Sequence, residues 1–554
     1  MIIKKIKKLR SDIKVLPAFG VAIVVSGNAM AAEFSFDEDW VLDVDTTVGA
    51  AFAQRLKDPD NKLLTGGGDG AVAINSDDGN RSFEKGDFFQ KMVSVNLDAD
   101  LQFQYQYGLF LRARAWKDYA YTGSSNHDGS PTCNAHDCSE YSDDVAEYHE
   151  SRAELLDAFL YGTFQISDRN LSLRLGDQAL SWGESLFIYG GVSSAQGPID
   201  VTKTNTPGVA LKEVFLPVGQ LSMQFGLSDT FSLSGYYQYD WEKSRIDAPG
   251  TYFSPSDILG NGVNSLLLPA PPPAPPGTLV PVPYTEEEPD AGQFGVGGQY
   301  QVDALGGTEF GLYVLQYNDT VAITEADLSM LATGVDLYPD VPNNLNHKFF
   351  EDIKLVGLSA GGVIGITNFG AEVSYRDGAP VQLESPFGFF FTEAKTAQAQ
   401  ISAVHVFGSN LISDNATLLA EVGGNRVLSF DPIESVPVPG QDFKLNKLDN
   451  DRNAWGYAAN LEMDYFRILP KTDMKLKVSF KHDVNGVSSV PLSFAEGSKI
   501  LGVASDLTYN NLNFGLNYTT YLTNVDKVSK ESGLEVGHML ADRDYIAGYV
   551  KYTF

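Results

Sequence analysis

The chain has 554 residues, 43% hydrophobic and 20% charged, with 71 acids against 40 bases and a formal net charge of -31. That acidic surplus repels phosphate and argues against a nucleic-acid partner, and two cysteines cannot make a disulfide scaffold. Mean hydropathy is -0.14, too polar for a bundle of membrane helices but compatible with a membrane β-barrel, whose strands alternate apolar and polar residues.

Residues 1–31 read as a secretory signal peptide. Lys4, Lys5, Lys7, Lys8, Arg10 and Lys14 precede an apolar run from Val15 to Val25, and Ala29-Met30-Ala31 supplies a small-residue cleavage site. The apolar run is too short to span a bilayer, and no cysteine follows the site for lipidation. Cleavage would remove six bases and one acid, taking the charge from -31 to -36 and leaving 32–554 as the exported domain.

From Trp40 onward the dominant period is two. Trp40, Leu42, Val44, Thr46, Val48, Ala50 and Phe52 share one face, while Asp43, Asp45, Thr47 and Gly49 share the other. Val93, Val95, Leu97 and Leu101 oppose Ser94, Asn96, Asp98, Asp100 and Gln102, and Leu109 and Leu111 oppose Arg112 and Arg114. Similar segments recur near 154–166, 171–182, 214–227, 231–242, 293–302, 308–318, 354–365 and 369–377. Others lie near 396–407, 414–427, 454–468, 472–484, 498–509, 512–522 and 543–554. Short turns near 104–107, 167–170, 228–230, 303–307, 408–413 and 469–471 alternate with long loops near 56–90, 118–152, 243–292, 378–395, 428–453 and 523–542. This rhythm predicts an all-β fold: a transmembrane antiparallel up-and-down β-barrel of about 18 strands, with short periplasmic turns and long extracellular loops. The last strand, with Ile546, Gly548, Val550, Tyr552 and Phe554 on one face, resembles the C-terminal signal read by the barrel assembly machinery. Gly548 stands six residues before the end, where that pattern has five.

Other motifs carry less. Gly357-Leu-Ser-Ala-Gly361 spells the nucleophile-elbow pattern, but an elbow needs a strand, a sharp turn and a helix, and Ser359 sits inside an alternating segment. A hydrolase is therefore a distant alternative, and the expectation is a protein that is not an enzyme. Asp449, Asp451 and Asn453 mimic the start of a calcium loop without its later ligands. Asp77, Asp78 and Asn80 read as a solvated acidic turn, with ion binding the alternative. Gly66 to Gly70 lacks the Lys-Ser/Thr of a phosphate loop. Cys133 and Cys138 share one long loop and, in an oxidising compartment, are expected to form a local disulfide; a metal site with His127 or His136 lacks a visible fourth ligand. No motif asks for a cofactor or a resident metal.

The polar strand faces suggest a charge ladder in the lumen. If the turn near 104–107 joins a hairpin, Asp98 and Asp100 face Arg112 and Arg114, with Asp43 and Asp45 on the preceding strand. Such pairs fix register as readily as they shape a pore field. The segment from Trp182 and Glu184 to about Pro217 lies where a long loop belongs, yet holds Leu186, Phe187, Ile188, Tyr189, Val192, Ile199 and Val201. Apolar residues of that density predict a loop folded into the lumen and anchored by Trp182 and Glu184.

Several stretches carry a resemblance: Leu171-Ser-Leu-Arg-Leu-Gly-Asp-Gln-Ala-Leu-Ser-Trp-Gly-Glu-Ser185, Pro198-Ile-Asp-Val201, Leu211-Lys-Glu-Val-Phe-Leu-Pro217 and Ile246-Asp-Ala-Pro-Gly-Thr-Tyr-Phe253. Asn75-Ser-Asp-Asp-Gly-Asn80 with Gly86-Asp87 extends it. Together they resemble the proteobacterial outer-membrane family known as domain of unknown function 1302, over nearly the whole exported chain; the Pro-rich insert near 269–289 is its least typical part. The resemblance implies a barrel in the outer membrane of a Gram-negative bacterium, in contact with its lipids. It also implies a periplasmic partner of lipoprotein-carrier-like fold, a β-propeller protein and an inner-membrane resistance-nodulation-division transporter. From that company the expected function is a partner-dependent conduit or docking component for hydrophobic or lipid cargo. The polar inner face keeps a passive porin-like channel as the alternative.

Overall fold

The computed structural model describes residues 32–554 apart from 37, 65–74, 128, 130–132, 134–137, 261–262, 264, 269–277, 282–283, 327–344, 386–389, 439–440 and 526–535. The expected signal peptide, Gly66 to Gly70, His136 and part of the Pro-rich insert lie outside the described residues. No described helix is long and apolar enough to cross a membrane.

Among the described residues, eighteen strands form a closed antiparallel barrel. The first nine are β1 (Trp40–Arg55), β2 (Phe88–Phe103), β3 (Tyr107–Asp118), β4 (Ser151–Ile166), β5 (Arg169–Gln178), β6 (Val218–Gly226), β7 (Phe231–Gln238), β8 (Phe294–Val302) and β9 (Thr308–Tyr317). The rest are β10 (Ile353–Ile364), β11 (Thr367–Leu383), β12 (Phe390–Gly408), β13 (Asn415–Phe430), β14 (Asn453–Leu469), β15 (Thr472–Asn485), β16 (Lys499–Tyr509), β17 (Leu512–Tyr521) and β18 (Tyr545–Thr553). Each strand pairs with its neighbours in sequence, and β18 closes on β1 with Val550 opposite Ala50. A short strand, Ala32–Ser35, adds to the short-turn end of β1. Closure satisfies the backbone of every strand without a free edge, the condition for a sheet in lipid.

Side-chain alternation sets the two faces. Phe52, Val93, Val95, Leu97, Leu160, Leu175, Leu312, Val314, Leu358, Ile401 and Leu516 are exposed on the outer wall. A one-residue slip would turn this band inward, so the apolar face fixes the register. The short turns match their sequence positions. At 104–106 the chain turns through Gln104 and Tyr105, at φ 50° and 54°, which suits the twist of a tight hairpin.

Two expectations need correction. Instead of a loop over 378–395, β11 runs to Leu383 and β12 begins at Phe390, with a bulge between Asp377 and Ala379. Residues 179–182 and 214–217, expected in strands, belong to the β5–β6 connection.

Candidate functional site: a lumen crossed by the β5–β6 loop

Residues 179–217 leave the rim between β5 and β6 and cross the barrel. Near their start, Trp182 packs against Tyr236 and Tyr313, with ring centroids 5.2 and 5.8 Å away, and its amide donates to Gln196 Oε1. The amides of Glu184 and Val192 donate to Glu372 of β11 at 2.9 and 2.7 Å. The amides of Leu186, Phe187 and Ile188 all converge on the Glu421 carboxylate of β13, at 3.1, 2.6 and 2.7 Å. Arg376 donates to the Gly191 carbonyl at 2.9 Å, and Gln398 to that of Tyr189 at 2.9 Å. The wall thus uses two carboxylates as acceptors for five loop amides, in the way carboxylates cap orphan N–H groups elsewhere.

The same wall is hollowed where the loop rests. A Cβ at Gly361 would lie 2.9 Å from Glu184 Oε1, one at Gly370 would lie 3.0 Å from Glu184 Cβ, and one at Gly357 would meet Val192 Cγ2. Gly361 and Gly370 are cross-strand partners on β10 and β11. The Gly357-Leu-Ser-Ala-Gly361 motif therefore seats the loop: Ser359 lies in a continuous strand opposite Gly311 and Glu372, with its hydroxyl 3.2 Å from that of Tyr313. The elbow geometry is absent from this segment. Burial, with the Glu309 and Glu372 charges adding, raises the Glu184 carboxyl above its ordinary range.

The loop then reaches the opposite wall. Asp200 accepts from Arg114 of β3 at 2.6 Å, and Arg114 also holds Glu154 of β4 at 2.6 Å and donates to the Glu213 carbonyl at 2.6 Å. Arg245, from the β7–β8 connection, joins Glu154 at 2.8 Å and Asp200 at 3.4 Å. Burial alone would raise Asp200, but Lys203, Arg114 and Arg245 outweigh it and hold the carboxyl below its usual range. Burial lowers Lys203 to about 8, and its ammonium sits 3.8 Å from the Trp116 ring centroid. Lys212 reaches Asp98 at 2.6 Å, Thr206 accepts from Gln90 at 3.2 Å, and Gly208 accepts from Lys551 of β18. Contacts from β13 on one side to β2, β3 and β18 on the other make the loop a plug. A cavity left beside it, lined by Arg114, Trp116, Lys203 and Lys551, holds about 20 Å³, room for a single water.

The expected charge ladder is rearranged. The turn pairs Phe103 with Tyr107, so Asp98 faces Arg112, but Asp100 faces Phe110 and Arg114 faces Asn96. Arg112 bonds Asp98 at 2.9 Å and Asp157 at 2.8 Å. Asp100 instead accepts from Tyr161 at 2.8 Å and Gln102 at 3.0 Å. Asp43 and Asp45 stand opposite Asp100 and Asp98 on β1 and β2, and Gln102 bridges to Asp43 at 3.1 Å. Among the apolar loop residues Ile188 and Val192 are buried, whereas Leu186, Phe187 and Tyr189 keep more than a third of their surface exposed. The plug is held by backbone hydrogen bonds and ion pairs more than by apolar burial. Glu372, Glu421, Glu154 and Arg245 were not singled out in the sequence; the one available signal was Glu372 on a strand face beside the small or polar Asn368, Gly370 and Ser374.

A second inward structure lies beside the plug. Tyr252, from the β7–β8 connection, stacks on Phe89 at 3.8 Å and 6° and meets Phe83 edge-on at 5.6 Å. Asn80 accepts from Arg55 at 2.9 Å and Arg543 at 3.0 Å. Asp77, Asp78 and Asn80 are buried, which overturns the solvated-turn reading: the β1–β2 loop folds under its neighbours. Cys133 and Cys138 are joined in a disulfide. At the other end, Tyr552 and Phe554 stand with rings 4.8 Å apart, and Tyr552 pairs with Val48 and Leu512.

The family model described as "Protein of unknown function (DUF1302)" matches residues 13–554. No curated protein matches the sequence. Solved structures with a similar course include Acinetobacter baumannii OccAB1, at 10% identity over 95% of this chain and 99% of that one with a TM-score of 0.43. Pseudomonas aeruginosa OpdK with vanillate gives 10% identity, 93% and 98% coverage and a TM-score of 0.40. Salmonella typhi OmpF with daunomycin gives 11%, 94%, 100% and 0.36. The strand pairing of the chain itself, not these likenesses, defines its barrel.

Proposed function

The chain belongs to the family of proteins of unknown function DUF1302, and on that premise we propose that it is an outer-membrane, partner-dependent conduit or docking component for hydrophobic or lipid cargo. The observation that carries this reading is the β5–β6 loop, which ties Glu372 and Glu421 on one wall to Arg114 and Lys551 on the other. A lumen crossed in this way conducts little at rest. A periplasmic partner opens it only through contacts that differ between the closed and open states. Its docking surface is the short-turn rim, where Tyr105 is exposed and Arg169 pairs with Asp229 at 2.6 Å. The partners suggested by the family resemblance are a lipoprotein-carrier-like periplasmic protein, a β-propeller protein and an inner-membrane transporter.

A porin-like channel is the second reading, favoured by the charged inner wall of Asp43, Asp45, Asp98, Asp100 and Arg112. Planar-bilayer recording of the purified barrel separates the two. Near silence, with lipid or a periplasmic protein co-purifying, supports the conduit. Large, steady, ohmic conductance without a partner removes it and leaves the porin.

A further inference from the structure

The barrel sheet keeps an open edge at its short-turn end. Ala32–Ser35 pairs antiparallel with β1, setting Ala32, Glu33, Phe34 and Ser35 opposite Val44, Asp43, Leu42 and Val41. It lies in line with β18, which leaves β1 just before it: Thr553 pairs with Thr47, and the Phe554 amide donates to the Thr46 carbonyl at 2.8 Å. β17 does not reach as far. The chain has already turned from β16 into β17 at Asn511, whose carbonyl accepts from the Thr553 amide at 3.1 Å. The edge of Ala32–Ser35 away from β1 therefore pairs with no strand among the described residues.

The side chains along this edge are sharply divided. Phe34 continues an outer row with Leu42 and Leu101, and Glu33 continues an inner row with Asp43 and Asp100. Phe34 is 49% and the following Phe36 66% exposed. Gln102 donates to Asp43 and Asp100, and Tyr161 to Asp100, yet Glu33, Asp43 and Asp100 form no ion pair among the described residues. Like charges directly opposite one another weaken a sheet, and a cation at the next position of the row relieves them. A free row of backbone N–H and C=O groups beside exposed phenylalanines is a template for one more strand. We propose that this edge receives, by strand addition, an extended segment of a periplasmic partner in which basic and apolar residues alternate. Its basic residue lies opposite Glu33 and its apolar residue opposite Phe34. A second copy of the chain would bring its own acids to the row and is the disfavoured occupant. The partner comes from the conduit reading, on which the choice of occupant rests; the open edge is a property of the sheet.

The test uses the full-length barrel in detergent and a synthetic peptide of alternating lysine and valine. Binding at one site per chain, read by fluorescence anisotropy, should slow amide exchange over 32–35 by about tenfold or more. The same peptide N-methylated at every residue keeps its charge but cannot form the ladder, and it should not bind. Glu33→Lys, checked for heat-modifiable gel mobility, should weaken the lysine–valine peptide by about tenfold and favour a glutamate–valine one. No binding by the wild-type barrel would overturn the proposal, as would binding undiminished by N-methylation or by Glu33→Lys. So would protection of 32–35 that rises with barrel concentration in the absence of peptide, which would make the occupant a second copy. Planar-bilayer conductance bears on the conduit and peptide binding on the edge, so each can fail without the other.

Discussion

Side chains that a sequence scan passes over hold the β5–β6 loop across the lumen. Glu421 accepts three loop amides, so Glu421→Ala leaves three donors without their partner at a cost of roughly 1–3 kcal/mol each if they stay dry. Amide exchange across 186–192 is expected to speed up by at least tenfold in that variant, while exchange in β13 changes little. Equal protection in mutant and wild type would show that the loop is held by something else. Asp247 gives a pH signature. Burial, with the Asp200 charge adding, pushes its carboxyl up to about 7 against the pull of Lys203 and Arg543. The folded chain therefore holds an extra proton between about pH 4 and 7, and stability falls as pH rises through that window. Every tenfold gain in proton affinity on folding corresponds to about 1.4 kcal/mol. Asp247→Asn should flatten the melting temperature between pH 4 and 7 and raise it above pH 7; a parallel downward displacement at every pH would contradict this.

At the scale of elements, the strands were legible because lipid and lumen impose a strict alternation on every one of them. Val93, Val95 and Leu97 against Ser94, Asn96 and Asp98 need no long-range knowledge to read. The reading failed where the strand leaves that constraint. Residues 378–383 and 390–395 rise beyond the apolar band and pair across a bulge, so their mixed polarity looked like loop. The hairpin charges failed for a different reason: turn length sets register, and a three-residue turn that puts Asp98 opposite Arg112 leaves Arg114 opposite Asn96 and Asp100 opposite Phe110. The inward course of 179–217 was legible from its apolar density, but its contacts with Glu372 and Glu421 join residues far apart in the chain and leave no local pattern. Gly357, Gly361 and Gly370 did leave one, a run of small residues whose purpose only the seated loop explains. A side chain there competes directly with the plug: Gly361→Leu should displace Glu184 and raise single-channel conductance severalfold while the barrel keeps its heat-modifiable mobility. Unchanged conductance in a folded Gly361→Leu barrel would mean that the Glu184 segment does not limit the pore.

At the scale of the whole molecule, orientation follows from counting and chain length. An even number of strands returns both ends of the barrel to one side, and the eight short turns lie on that side with Ala32–Ser35. The longer connections, with their added hairpins such as Ile433–Val438 with Gln441–Leu445, gather at the other. In single-chain outer-membrane barrels short turns face the periplasm and long loops the exterior, so the plug, the buried Asp77-Asp78 turn and the disulfide would enter from outside. Cysteine accessibility in intact cells tests this. Glu434→Cys, in an exposed hairpin, should react with a membrane-impermeant maleimide. Asp229→Cys, in the tight turn between β6 and β7 and 92% exposed at its side chain, should react only after the outer membrane is permeabilised. The opposite pattern would invert the barrel, moving the Arg169–Asp229 rim outside and with it the surface proposed for a periplasmic partner.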